Sequence, residues 1–409
     1  MVAPLAFLNA RIIDPATGRD RIGNLVVRDR VIGAIDGDVP DNAECIAADG
    51  LVLAPGLIDA GVFKADAGTC LAGGITRVVL MPDQSPPLDH AALIEHAERI
   101  GKPDVWVHPL AAATRGLQGE QLAEIGLMKL AGAVGVATGR RWIAATSVMH
   151  RLMQYAAGFG MVVVSHPEDI SLTSDAVATA GEFATRLGLA AAPAFAESIA
   201  VARDLRLAAA TGVHLHFRQV TTAESIALIR AAKRQGIAVT CGVTPAHMLL
   251  SEQALSGYRS FARLSPPLRI EADRLAVLDG LVDGTIDILA SGHDPRTQED
   301  KRLPFADAAP GMVGGETLLA LALIPVHEGR MAMTDMLQRI TAAPSAIFGL
   351  PGGRLQPGEP ADLVLFDPDT PWRIDADRLS ANANNTPFDG LPVQGRVRMT
   401  VKGGDISRF

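Results

Sequence analysis

Cysteine is scarce in this chain. Cys45, Cys70 and Cys241 are the only three among 409 residues, and none stands in a CxxC pair or a Cys/His cluster. That excludes a disulfide framework and a zinc knuckle, and it fits a reducing compartment. Long apolar runs are also missing. No stretch of roughly 18 or more uncharged apolar residues marks a membrane span. There is no basic run, and a net charge of −8 favours solubility over nucleic-acid binding. The opening residues, Met1 to Arg11, lack the basic start and long apolar stretch of a secretory signal. The reading is a cytoplasmic globular protein with no nucleic-acid and no membrane partner. Two catalytic signatures are absent as well: a glycine fingerprint for a nucleotide phosphate, and a Gly-x-Ser-x-Gly elbow.

What is present is a large apolar fraction, 48% of residues, against 20% charged. A chain of this length buries most of its apolar surface without disulfides or a structural metal, and it suits a barrel with a smaller companion. Residues 1–54 read as short strands divided by turns, and residues 357–367 and 395–404 read the same way. Both ends are therefore expected to pair into one composite β domain, 1–54 plus 346–409. The segment 55–345 alternates strand-like runs with helical patterns. Its strand candidates are Gly74–Met81, Val105–Pro109, Met161–Ser165, Val213–Phe217, Ile237–Val243 and Ile286–Ser291. Its helix candidates include His90–Ile100, Gly119–Leu130 and Gly315–His327. Such alternation is the pattern of a (β/α)8 barrel. A doubly wound open sheet alternates similarly, so periodicity alone does not choose between them.

In a barrel, chemistry sits at strand C-terminal ends. Taking Leu51–Leu53 as a strand puts residues 54–64 just past it, and three histidines follow other strands: His166, His247 and His293. Neutral imidazole is a good zinc ligand. No second ligand stands at tight spacing such as HxH, so each histidine reads equally as a lone hydrogen-bonding loop residue. Asp169 and Asp294 are acidic candidates that also read as a helix cap or a turn residue. Arg218, Arg269, Arg296 and Lys64 are candidates for an anionic ligand.

A set of motifs spans nearly the whole chain. It includes Ala54–Asp59 (APGLID), Ala72–Thr76 (AGGIT), Ser165–Asp169 (SHPED), Val220–Ser225 (VTTAES), Val243–Leu250 (VTPAHMLL), Pro266–Arg269 (PPLR), Pro310–Thr317 (PGMVGGET) and Asn385–Gly390 (NTPFDG). In this order the motifs resemble those of dihydroorotases of the amidohydrolase superfamily. The resemblance implies an α/β fold: a (β/α)8 TIM barrel of amidohydrolase type with a small β domain formed by both chain ends. It also implies a zinc-activated water that opens or closes a cyclic amide in pyrimidine synthesis.

The family's ligands can be checked one position at a time. After the first barrel strand the family has HxH and then a substrate-binding arginine. Here Gly61-Val62-Phe63 stands there, or Phe63-Lys64-Ala65-Asp66 beyond a deleted loop. The bridging acidic group falls near Ala137–Gly139. His166 matches a ligand, the next ligand position is Gln219, and His216 matches a histidine not used for metal. The catalytic aspartate falls at Gly292, beside His293. Substrate-contact positions hold Asp83, Ser265 and Arg296. His166, Gln219, His247, Gly292 and His293 thus form the remnant site, with no metal ligand set and no catalytic residue expected.

Losing both metal and base removes the chemistry. The resemblance therefore implies a silent family member that needs no cofactor. Such members serve as structural or regulatory partners of aspartate carbamoyltransferase in an oligomeric assembly. The alternative is a metal-dependent amidohydrolase acting on a cyclic amide or ureide. In that case zinc would sit in a rearranged site drawn from His166, His247 and His293.

Overall fold

A computed structural model describes residues 4–409. Residues 1–3, the start of the expected β segment 1–54, lie outside the described residues. Parallel strands follow one another around a barrel in chain order. They are Leu57–Val62, Ile75–Leu80, Trp106–Pro109 continued by Ala111–Ala112, Gly135–Ala137, Val162–Ser165, Leu215–Phe217, Val239–Val243 and Ile288–Leu289. Several are unbroken buried runs, such as Val162–Ser165 and Ile75–Leu80. That is the signature of parallel strands covered on both faces. The ring closes between the last strand and the first. There the Phe63 N–H donates to the His293 carbonyl at 3.0 Å, and the Ser291 N–H donates to the Asp59 carboxylate at 2.8 Å. Closure decides for the barrel and against the open sheet.

Helices form the outer ring, among them Ala91–Arg99, Thr146–Gly158, Phe195–Thr211, Ala223–Arg234, Glu271–Val282 and Leu318–His327. Their starts follow local chemistry. The Thr222 side chain accepts from the Ser225 N–H at the head of Ala223–Arg234, and Asp169 caps the short turn Ile170–Thr173. Among the described residues no helix is long and apolar enough to cross a membrane.

The second body is one eight-stranded sheet. Leu5–Asp14, Arg19–Arg28, Val31–Ile35, Glu44–Ala47 and Val52–Pro55 come from one end of the chain, and Leu363–Arg373, Pro392–Lys402 and Asp405–Arg408 from the other. The two groups meet where Val52–Pro55 runs antiparallel to Leu363–Arg373. This sheet is tied to the barrel by a buried ion pair. Arg77 Nη2 lies 2.5 Å from Asp362 Oδ2 with both side chains 3% exposed, and Asp362 also accepts from the Gly403 N–H and Trp106 Nε1.

Two local expectations are corrected, and one strand is added. Residues 54–64 do not form a loop after a strand at Leu51–Leu53. Gly56 separates the sheet strand Val52–Pro55 from the first barrel strand, Leu57–Val62. The lone acid in that strand, Asp59, is accommodated by its two hydrogen bonds to Ser291. The helix expected over Gly119–Leu130 begins only at Ile125. The barrel strand Gly135–Ala137 was not anticipated, because three residues are too few to show a period.

Candidate functional site

The remnant residues gather at the C-terminal ends of the barrel strands, and a cation sits among them. Arg218, just past Leu215–Phe217, is 8% exposed. Its Nη2 lies 3.1 Å from His166 Nδ1, and its Nη1 donates to Gln219 Oε1 at 3.1 Å. The other nitrogen of His166, Nε2, lies 3.1 Å from Glu168 Oε2. These partners assign the tautomer: Nε2 carries the proton to Glu168, and Nδ1 accepts from Arg218. Burial first, and then the Arg218 charge, push the His166 pKa down, although the Glu168 bond opposes them. Burial alone would raise Glu168, but the His166 bond and charge, followed by the fields of Arg269 and Arg218, outweigh it and leave the carboxyl below its usual range. The pair is therefore a neutral imidazole on a charged carboxylate.

His247 is engaged in the same way. Gln219 Nε2 lies 2.8 Å from its Nδ1, the Thr244 hydroxyl 2.9 Å from the same atom, and Nε2–H donates to the Pro266 carbonyl at 3.0 Å. Burial holds this ring neutral, with a pKa of about 3. One hydrogen-bonded chain thus runs Glu168, His166, Arg218, Gln219, His247, Pro266. Arg218 stays cationic at neutral pH even though burial lowers its pKa to about 10.

Phe63 occupies the place where the resemblance puts metal-binding histidines. The guanidinium of Arg140 stacks on its ring, 3.5 Å from the centroid, and that of Arg218 lies 5.2 Å away. Arg140 also pairs with Asp294 at 2.8 Å and approaches Asp83 at 4.0 Å. Asp83 accepts from the Arg140 backbone N–H at 2.9 Å. Asp294 takes a second guanidinium, that of Arg296, at 2.8 Å.

Gly292 has φ +66, and a Cβ there would lie 2.8 Å from Thr244 Cγ2 and 3.2 Å from Met312 Cε. The space a catalytic aspartate would need is filled. At the bridging position, Thr138 Oγ1 accepts from the His166 N–H at 3.1 Å, so no acidic group replaces it. His293 does not join the cluster. Its Nδ1 faces the Gly314 and Gly315 N–H groups, 3.4 Å from each, while buried Nε2 has no partner. His216 bonds Thr240 instead. Of the other anion candidates, Arg269 pairs with buried Glu197 at 3.5 Å, and Lys64 is exposed.

A metal does not fit this donor set. Zinc needs lone pairs on several side chains converging on one point. Here the His166 and His247 nitrogens are already committed, and a guanidinium lies between them. Among the described residues no group of three or more His, Cys, Asp or Glu side chains is arranged to hold a metal ion.

Sequence reading missed Arg140 and Glu168 as residues of this cluster. Arg140 follows the unanticipated strand Gly135–Ala137, so recognising that strand would have placed it at the barrel mouth. Glu168 lay in view inside Ser165–Asp169, but only the fold turns it back onto His166.

Residues 46–407 match the amidohydrolase family. The chain is 38% identical to a protein named dihydroorotase from Syntrophotalea carbinolica, over 98% of this chain and 97% of that one. It is 36% identical to another of that name from Geobacter metallireducens, over 98% and 99%. Among solved structures, the L-hydantoinase (dihydropyrimidinase) from Arthrobacter aurescens superposes with a TM-score of 0.88 at 24% identity, covering 99% of this chain and 96% of that one. That likeness bears on the fold.

Proposed function

The chain belongs to the amidohydrolase family, as a relative of proteins named dihydroorotase, and from that premise we propose that it is a non-catalytic member. One observation carries the reading: Arg218 donates into Nδ1 of His166 while Nε2 bonds Glu168, so neither ring nitrogen is free for a metal. A buried cation in that place opposes a second cation by simple Coulomb repulsion. The proton-transfer position, Gly292, supplies no group, and its side-chain space is taken by Thr244 and Met312. The retained barrel then serves as a scaffold. By resemblance its partner is aspartate carbamoyltransferase, in an oligomeric assembly, and it needs no cofactor.

A second reading has its own support. Full-length identity of 36–38% to proteins named dihydroorotase favours a metal-dependent hydrolase of a cyclic amide. The test pairs metal analysis of chelator-treated, zinc-reconstituted protein with a dihydroorotase assay in both directions. The non-catalytic reading expects less than stoichiometric metal and no turnover above background. Stoichiometric zinc with turnover would refute it and establish the second reading. Co-purification with aspartate carbamoyltransferase, measured by light scattering, tests the partner separately.

A further inference from the structure

We propose that the rebuilt centre binds a small anion through a carboxylate or phosphate head group held by Arg218 and Arg140, with Arg263 in the adjoining cleft. The inference rests on the non-catalytic reading, since Arg218 engages His166, the one histidine that matches a family ligand.

Charge pairing is the first argument. Buried charges in folded proteins are paired as a rule, and two buried arginines here obey it: Arg77 with Asp362, and Arg269 with Glu197. Arg218 does not. Its hydrogen-bond partners are the neutral His166 and Gln219, and its buried Nε has none. Arg263 Nε is likewise buried without a partner, and its Nη1 reaches only the Leu264 carbonyl. Around the mouth, Arg140, Arg141, Arg218, Arg263 and Arg296 face Asp83, Asp294 and Glu168. Asp294 is shared between Arg140 and Arg296, and Asp83 already holds Arg140. Five guanidinium groups thus stand against three carboxylates, and of the five only Arg218 is buried.

Shape is the second argument. Arg218, Arg140, Thr244 and Ser265, together with Asp294, whose carboxylate is held by Arg140 and Arg296, line an inner cavity of about 30 Å³. That is room for about two water-sized groups, which suits head-group oxygens and excludes a ring. The cavity shares Arg140, Ser265 and Pro310 with an outer cleft of about 230 Å³ that adds Arg141, Arg263 and Trp142, and one carboxylate, Glu168, bonded to His166. A head group would enter between Arg218 and Arg140, and the rest of a small acid would lie in the cleft against Arg263. Guanidinium forks favour planar carboxylates and phosphates over halides.

The experiment is calorimetric titration of the full-length protein with acetate, succinate and inorganic phosphate, with chloride as control. Melting temperature is followed in parallel. One saturating site per chain is expected for at least one of the three, and the ranking separates carboxylate from phosphate. Arg218→Met should weaken that binding at least about tenfold and abolish the ligand-induced rise in melting temperature. Arg263→Gln, which leaves the partners of Arg218 in place, should weaken it several-fold and serves if the first variant does not fold. No saturable binding by any of the three, or binding unchanged in the variants, overturns the proposal. Metal content and turnover are read on the same preparation. Bound metal with turnover defeats the non-catalytic reading, and the Arg218 variant then decides the anion site alone.

Discussion

Asp59 gives a sharp test of how the barrel is closed. Its carboxylate is 1% exposed and accepts from both the backbone N–H and the hydroxyl of Ser291, across the seam between first and last strands. Burial raises its pKa to about 6, and the Ser291 bonds only partly oppose this. An unfolded aspartate titrates near 3.8, so the folded chain binds the extra proton between these values. The stabilising contribution is complete below the unfolded pKa and disappears as pH rises through about 6. A difference of this size corresponds to about 3 kcal/mol, of which about 2 kcal/mol falls between roughly pH 4.5 and 8. An asparagine at this position cannot ionise, so Asp59→Asn should remove this slope. It would add a constant offset of about 1 kcal/mol for the altered Ser291 bond. Urea denaturation of both proteins at half-unit steps across that range gives the difference directly. The variant should gain on the parent as pH rises. A difference that stays flat within about 0.5 kcal/mol would show that Asp59 is not held as described.

Two further expectations concern single side chains. Asp362→Ala strands Arg77 as a lone buried cation and unsatisfies Trp106 Nε1 and the Gly403 N–H. It should cost about 3–5 kcal/mol in chemical denaturation, and a loss below about 1 kcal/mol would contradict the role given to that joint. Gly292→Asp, which restores the family's acid, should neither bind zinc nor turn over, because His166 and His247 remain engaged. It should also destabilise by about 1–2 kcal/mol through its left-handed backbone and the contact with Thr244. Recovery of zinc-dependent turnover in this single variant would refute the account of the site.

Ordered motifs made the barrel legible, and identity at single positions showed which residue types stand where the resemblance places ligands. Gly292 cannot donate a proton whatever surrounds it. The hydrogen-bonded cluster at those positions was not legible. Arg218, His166, Glu168 and His247 come from three different strand ends, and their hydrogen bonds depend on side-chain directions that spacing does not encode. Phe63 illustrates the limit. Its identity showed that a histidine was absent, but only the fold shows it stacked under Arg140 and Arg218. Short strands hid other parts. Gly135–Ala137 is too brief to display a period, so Arg140 had no visible reason to stand at the mouth.

The antiparallel seam between Val52–Pro55 and Leu363–Arg373 also sets a schedule for synthesis. Val52–Pro55 leaves the ribosome roughly 300 residues before its partner. At about 5–20 residues per second it waits on the order of tens of seconds with one edge unpaired. The intervening barrel has that interval in which to form, whereas the sheet cannot. An edge strand exposed for so long invites pairing with another chain. The β domain is therefore where misassembly of the nascent protein should begin, however well the barrel packs.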